Sequence, residues 1–140
     1  APDLGKQYQV KKICDENNID FFAYSPLSFG ILCIDPDKEE NKEKSFIRNS
    51  LFENYKKPTY ELRRCLKRIA HQRSVSQAQV AINWCCYQGT IPLVGMRKKS
   101  QVIDVSNVFN WNLKKNEFKV LQEVSKKCLK KMPKNPFSSN

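Results

Sequence analysis

The chain of 140 residues is 40% hydrophobic and 28% charged, the composition of one soluble globular domain with room for a core. No run approaches the roughly 18 to 20 apolar residues that span a bilayer, and the opening APDLGKQYQV lacks the apolar segment of a secretion signal, so neither membrane insertion nor export is expected. The net charge of +11 comes from 25 Lys and Arg scattered along the chain. A nucleic-acid surface would interleave basic residues with exposed aromatics, so it is not expected either.

The densest basic cluster, KKCLKKMPK over 126–134, falls at an expected helix end, where cations favour the helix dipole and form a solvated surface. Six cysteines (Cys14, Cys33, Cys65, Cys85, Cys86 and Cys128) include an adjacent pair that suits neither a disulfide framework nor a CxxC metal knuckle. Most are expected to be free thiols in apolar surroundings, in a reducing compartment, with the cytoplasm first and a plastid-type organelle second.

In chain order, QYQVKKICDENN spaces Tyr8, Val10, Ile13 and Cys14 at helical intervals and breaks at Asn17-Asn18. IDFFAY follows as a short apolar run, expected to be a buried strand that ends against the turn SPLSFG. Residues 35–58 are charged and bounded by prolines, the pattern of a long exposed loop, with Phe46, Phe52 and Tyr55 available to pin it. YELRRCLKRIAHQR places Leu62, Cys65, Leu66, Ile69 and Ala70 on one helical face. Ser76 is placed to cap SQAQVAINWCCYQ, a helix apolar on most sides, and Gly89 to close it. TIPLVG is the second expected buried strand. Ser100 is expected to cap QVIDVSNVF, and NEFKVLQEVSKKCLKK makes a last helix through Phe118, Leu121, Val124 and Cys128. Two strands separated by helices imply parallel pairing in an α/β fold with about five helices. Two parallel strands leave unpaired edges, so the chain reads as part of a larger sheet, and alone it is expected to be poorly folded or oligomeric.

Four stretches carry a family resemblance: AYSPLSFGIL (23–32), SQAQVAINW (76–84), GTIPLVGMRKKSQ (89–101) and NWNL (110–113). In this order and spacing they resemble the C-terminal part of an aldo-keto reductase. The resemblance implies a (β/α)8 barrel whose last two strands are IDFFAY and IPLVG, with the functional face at the strands' C-terminal ends. Residues 1–132 would form this C-terminal part and 133–140 an irregular tail.

It further implies NADP as cofactor, bound without a Rossmann glycine motif. Tyr24 matches the aromatic residue that stacks on the nicotinamide and so selects the ring face that carries the hydride. Ser25, Pro26, Leu27, Ser28 and Gly30 match the loop over the pyrophosphate, where hydroxyls and backbone N–H groups meet phosphate oxygens. Gly95, Met96 and Arg97 match the residues around the adenosine 2′-phosphate, and an arginine there favours NADP over NAD through a forked contact. Gln101 and Asp104 match polar residues at the adenosine end. Two positions depart from the pattern: Val105 stands where many relatives carry Asn, and Asp35 where some carry Lys.

The family's catalytic Asp, Tyr, Lys and His match no residue of this chain, so no catalytic residue is assigned and no metal site is expected. The single histidine, His71, lies on a helix away from the matching position. The implied function is reduction of an aldehyde or ketone by hydride transfer, with the N-terminal half of the barrel as the structural partner and source of the acid. A nucleotide-binding regulatory or scaffold protein with the same fold is the alternative.

Overall fold

The computed structural model describes residues 4–38 and 53–132, with side chains from residue 9 onward. The readings for Phe46, Phe52, the side chain of Tyr8 and the tail 133–140 lie outside the described residues. Among the described residues, five helices of eight residues or more and two short strands follow in the order α1 (Leu4–Glu16), β1 (Phe22–Tyr24), α2 (Tyr60–Arg73), α3 (Gln77–Tyr87), β2 (Ile91–Leu93), α4 (Lys99–Ser106) and α5 (Lys115–Leu129). Two 3-10 segments, Ser28–Cys33 and Asn107–Asn110, follow β1 and α4.

α1 stops where the two asparagines sit. Asn18 takes a left-handed φ of 53°, which Asn tolerates better than most residues, and the Ile19 N–H closes onto the Cys14 carbonyl at 2.8 Å. At the start of α3, Ser76 is the expected cap, its Oγ accepting the Gln79 N–H at 3.1 Å. Gly89 closes the same helix at φ 71°, donating to the Cys86 carbonyl at 2.9 Å.

The core forms where α2, α3 and α5 meet. All five predicted positions of α2 are buried, and Leu66, Val80 and Leu121 are fully enclosed. Each such side chain contributes roughly 1.5–3 kcal/mol by leaving water. Cys65 and Cys128 fill the same cluster as small apolar groups. Tyr55 packs on Ile31 and Ile34, so the one described aromatic of the 35–58 stretch does pin it. Residues 53–56 are helical rather than loop, and buried Arg63 ties them down by donating to the Lys56 carbonyl at 2.6 Å.

Three expectations are corrected. Neither strand is buried: Phe22 and Tyr24 of β1 and Ile91 and Leu93 of β2 are all exposed. Successive strand residues face opposite sides, so only Ala23 and Pro92 turn to the half-buried side, and nothing in the described chain covers the other. Ser100 does not cap α4. That helix starts at Lys99, because the Gln101 Oε1 accepts the N–H groups of Arg97 and Lys98 at 2.8 and 3.0 Å and so organises the turn earlier. The helix also ends at Ser106 instead of running through Phe109.

Candidate functional site

β1 and β2 pair in parallel, with Phe22 opposite Ile91, Ala23 opposite Pro92 and Tyr24 opposite Leu93. Parallel pairing sends both strands out at the same edge of the sheet. Tyr24 and the loop 25–34 therefore leave beside the turn that carries Gly95, Met96 and Arg97. Tyr24 is 78% exposed, and Met96 and Arg97 are exposed as well.

The loop after β1 is strained. Ser25, Ser28 and Phe29 have φ values of 51°, 48° and 57°, and Gly30 has 94°. A left-handed conformation costs a non-glycine residue roughly 1–2 kcal/mol, and such strain persists where surrounding structure holds it. Here the Gly30 and Leu32 N–H groups both donate to the Leu27 carbonyl, at 2.9 and 3.3 Å. Leu27 packs against the main core, and Ile31 and Leu32 are buried beneath the turn. Ser25 is exposed, while Pro26 and Ser28 are half-buried.

Past this loop, Asp35 and Asp37 both accept from Lys67 of α2, at 2.6 and 2.7 Å. The Lys67 bond, then the Asp37 N–H, hold the Asp35 carboxyl below its usual range, and the bonds to the Asp35 and Asp37 carboxylates raise Lys67. A lysine from another element thus lies against Asp35, paired with two carboxylates.

The turn after β2 is open. A Cβ built on Gly95 meets nothing within 4 Å among the described residues, which leave room for a ligand to approach this backbone. Gln101 and Asp104, expected to face a nucleotide, carry internal bonds. Gln101 holds the Arg97–Lys98 backbone as described. Asp104 accepts from Ser76 Oγ at 2.6 Å through one oxygen and from Gln79 Nε2 at 2.7 Å through the other.

These bonds belong to a polar network that sequence reading missed. Gln79 Oε1 accepts the Trp111 indole N–H at 3.1 Å. Asn83, buried on the next turn of α3, donates to the Val108 and Trp111 carbonyls and accepts the Leu113 N–H. The available signal was the pairing of Gln79 and Asn83 at four-residue spacing inside an apolar helix, since buried amides require partners.

No group of three or more His, Cys, Asp and Glu could hold a metal among the described residues. Cys85 is pushed up to about 11 by burial and then by Cys86, which leaves it a poor nucleophile at neutral pH. His71 is exposed on α2. No helix among the described residues is long and apolar enough to cross a membrane.

Comparison with known proteins agrees with this arrangement. The profile of the aldo/keto reductase family matches residues 4–126. The chloroplastic pyridoxal reductase of Arabidopsis thaliana is 34% identical over 137 residues, covering 97% of this chain and 37% of that protein. An uncharacterized oxidoreductase of Schizosaccharomyces pombe is 29% identical over 119 residues, covering 85% of this chain and 31% of its own length. The chain thus spans about a third of the curated relatives it matches. Among solved structures, a glycerol dehydrogenase from Gluconobacter oxydans superimposes with a TM-score of 0.64 at 25% identity, over 94% of this chain and 42% of that one. The two parallel strands and their helices are part of a (β/α)8 barrel, and the chain belongs to the aldo/keto reductase family.

Proposed function

We propose that the protein binds NADP(H) across the ends of β1 and β2 and takes part in the reduction of an aldehyde or ketone. The observation that carries this reading is the in-register parallel pair, which sends the Tyr24–Gly30 and Gly95–Arg97 segments out of one sheet edge. When bound, the nicotinamide supplies the hydride. The Tyr24 ring, exposed at the strand end, offers a stacking face that orients it. The hydroxyls of Ser25 and Ser28, with the backbone of the strained loop through Pro26, Leu27 and Gly30, would meet the pyrophosphate. Arg97 would fork onto the 2′-phosphate, with Gly95 leaving space for close approach and Met96 beside it. Gln101 and Asp104 would lie at the adenosine end, Gln101 holding the turn that presents Arg97 and Asp104 bonded to Ser76 and Gln79.

The acid that protonates the carbonyl oxygen would come from the N-terminal half of the barrel, whose strands would also cover the exposed face of Phe22, Tyr24, Ile91 and Leu93. The likeness to a pyridoxal reductase makes the pyridoxal aldehyde the first substrate to try. That relative's chloroplast location makes the plastid a compartment to test beside the cytoplasm.

The test is titration of NADPH and NADH against Trp84 and Trp111 fluorescence, on this chain and on a form extended at its N-terminus. Preference for NADPH that is lost in Arg97→Ala supports the reading, and NADPH oxidation by pyridoxal in the extended form completes it. Binding without turnover of any carbonyl would shift the reading to a nucleotide-binding regulatory protein. Absence of binding in both forms would overturn it.

A further inference from the structure

We propose that Asp104 is a positioning residue: it locks α4 onto the N-terminus of α3, sets where Arg97 presents its guanidinium, and so governs preference for a 2′-phosphorylated nucleotide without touching the adenine. The inference rests on the NADP(H) reading above.

None of the side chains of α4 is fully buried: Val102 and Ile103 are exposed, and Val105 is the one apolar side chain that is half-buried. A helix with so little apolar anchoring takes much of its orientation from its polar ties. Asp104 supplies two. Ser76 Oγ already accepts the Gln79 N–H, so its own proton is directed to the Asp104 carboxylate. Gln79 donates to the second carboxylate oxygen, while its own carbonyl oxygen accepts from Trp111. Gln79 is itself 5% exposed, so this staple is fastened in the interior.

One turn before Asp104 on the same helical face, Gln101 holds the Arg97 and Lys98 N–H groups. Arg97 is thus connected through Gln101 and one helical turn to Asp104, and through Asp104 to α3. Each oxygen of this carboxylate already holds one donor, Ser76 on one and Gln79 on the other.

The sign of the effect separates positioning from simple electrostatics. Asp104 is an anion on the helix that follows the arginine's turn. Acting through space alone, its removal would tighten binding of a phosphate. Acting by position, its removal loosens the arginine and weakens that binding.

The test measures NADPH and NADH affinity in whichever form binds NADPH, this chain or the N-terminally extended one. Asp104→Ala is expected to weaken NADPH about tenfold, the scale of one charge-assisted contact, and to leave NADH within about twofold. Gln79→Met should reproduce part of the loss without altering α4, and Asp104→Asn, which retains an acceptor oxygen, should restore most of it. In an Arg97→Ala background, Asp104→Ala should cost nothing further. Should Asp104→Ala fail to fold, by loss of its far-ultraviolet circular dichroism, the Gln79→Met and Asp104→Asn pair decides. Equal losses for NADPH and NADH would instead assign Asp104 to the adenine, and tighter NADPH binding would assign it a through-space role. Either result overturns the positioning role while leaving the cofactor reading intact. Failure of every form to bind NADPH removes both.

Discussion

Arg73, in the last turn of α2, forks onto Glu117, in the first turn of α5: its Nε and Nη2 donate to the two carboxylate oxygens at 3.0 and 2.7 Å. The guanidinium also lies over the Trp111 ring, 5.5 Å from its centre. Burial alone would raise the Glu117 carboxyl, but the Arg73 bonds and the Lys114 N–H more than offset it and hold the group below its usual value of 4.5. A depressed carboxyl stabilises the fold above that value and loses the contribution as pH falls through the lower folded value. Glu117→Gln is expected to cost about 1–2 kcal/mol in urea unfolding at pH 7. The difference from the parent protein should shrink steadily below about pH 4.5. A difference independent of pH would refute the assignment.

Asn83 satisfies three backbone groups beyond α4, with bonds to Val108, Trp111 and Leu113 of 3.2, 2.8 and 3.0 Å. Asn83→Leu fits the apolar surroundings but strands these groups away from water. The expected loss is about 2–4 kcal/mol, well above that of an exposed substitution. Chemical denaturation reads it directly, and a loss under about 1 kcal/mol would mean that water replaces the amide.

Ser74 ends α2 in the left-handed region, at φ 53° and ψ 42°, with its N–H turned back to the carbonyls of Ala70 and His71. Glycine occupies such a position without a Cβ penalty. Ser74→Gly should therefore stabilise the protein by roughly 0.5–1 kcal/mol, and Ser74→Val should destabilise it. Thermal melting of the two variants would show opposite shifts.

Gly95→Ala separates the chain's needs from those of a ligand. Its new methyl group meets nothing among the described residues. The melting temperature should stay within about 2 °C of the parent value, while NADPH affinity falls several-fold through the methyl's intrusion on the bound nucleotide. Unchanged affinity would move the ligand away from this backbone.

Cys85 supplies an alkaline counterpart to Glu117. Its thiol is raised from 9.0 to about 11 by burial, then by Cys86. A raised acid keeps its proton in the fold after the unfolded chain has lost it, so stability declines as pH climbs past 9. Relative to Cys85→Ala, the parent protein should lose about 1–2 kcal/mol between pH 9 and 11. Parallel stability curves for the two proteins would count against a raised thiol at this half-buried position.

Much of this architecture was legible from spacing. Leu62, Cys65, Leu66, Ile69 and Ala70 announced the inner face of α2, and Ser76 and Gly89 marked both ends of α3, because caps and helical periodicity are local signals. The strands were found but their burial was misread. An apolar run such as IDFFAY does not tell which faces of a sheet are covered, and here Phe22 and Tyr24 face away from the helices. The start of α4 was misplaced because Gln101, a side chain within the helix, organises the turn before it. The roles of Gln79 and Asp104 were invisible for a different reason. Their bonds join residues 25 to 32 positions apart, and no local pattern encodes such a partner.

The pairing of Tyr24 with Leu93 acts as a gauge of length. Each residue of a parallel strand advances about 3.3 Å, and each single-residue slip turns every side chain to the opposite face. A slip of one position would displace the turn bearing Arg97 by that distance relative to Tyr24 and exchange the sides of the strand it sits on. For a dinucleotide bound as proposed, the three paired positions would set how far apart the two segments that grip it lie. Substitutions that loosen this pairing, far from any phosphate or ring, would thus be felt as mismatched reach and not as a missing contact.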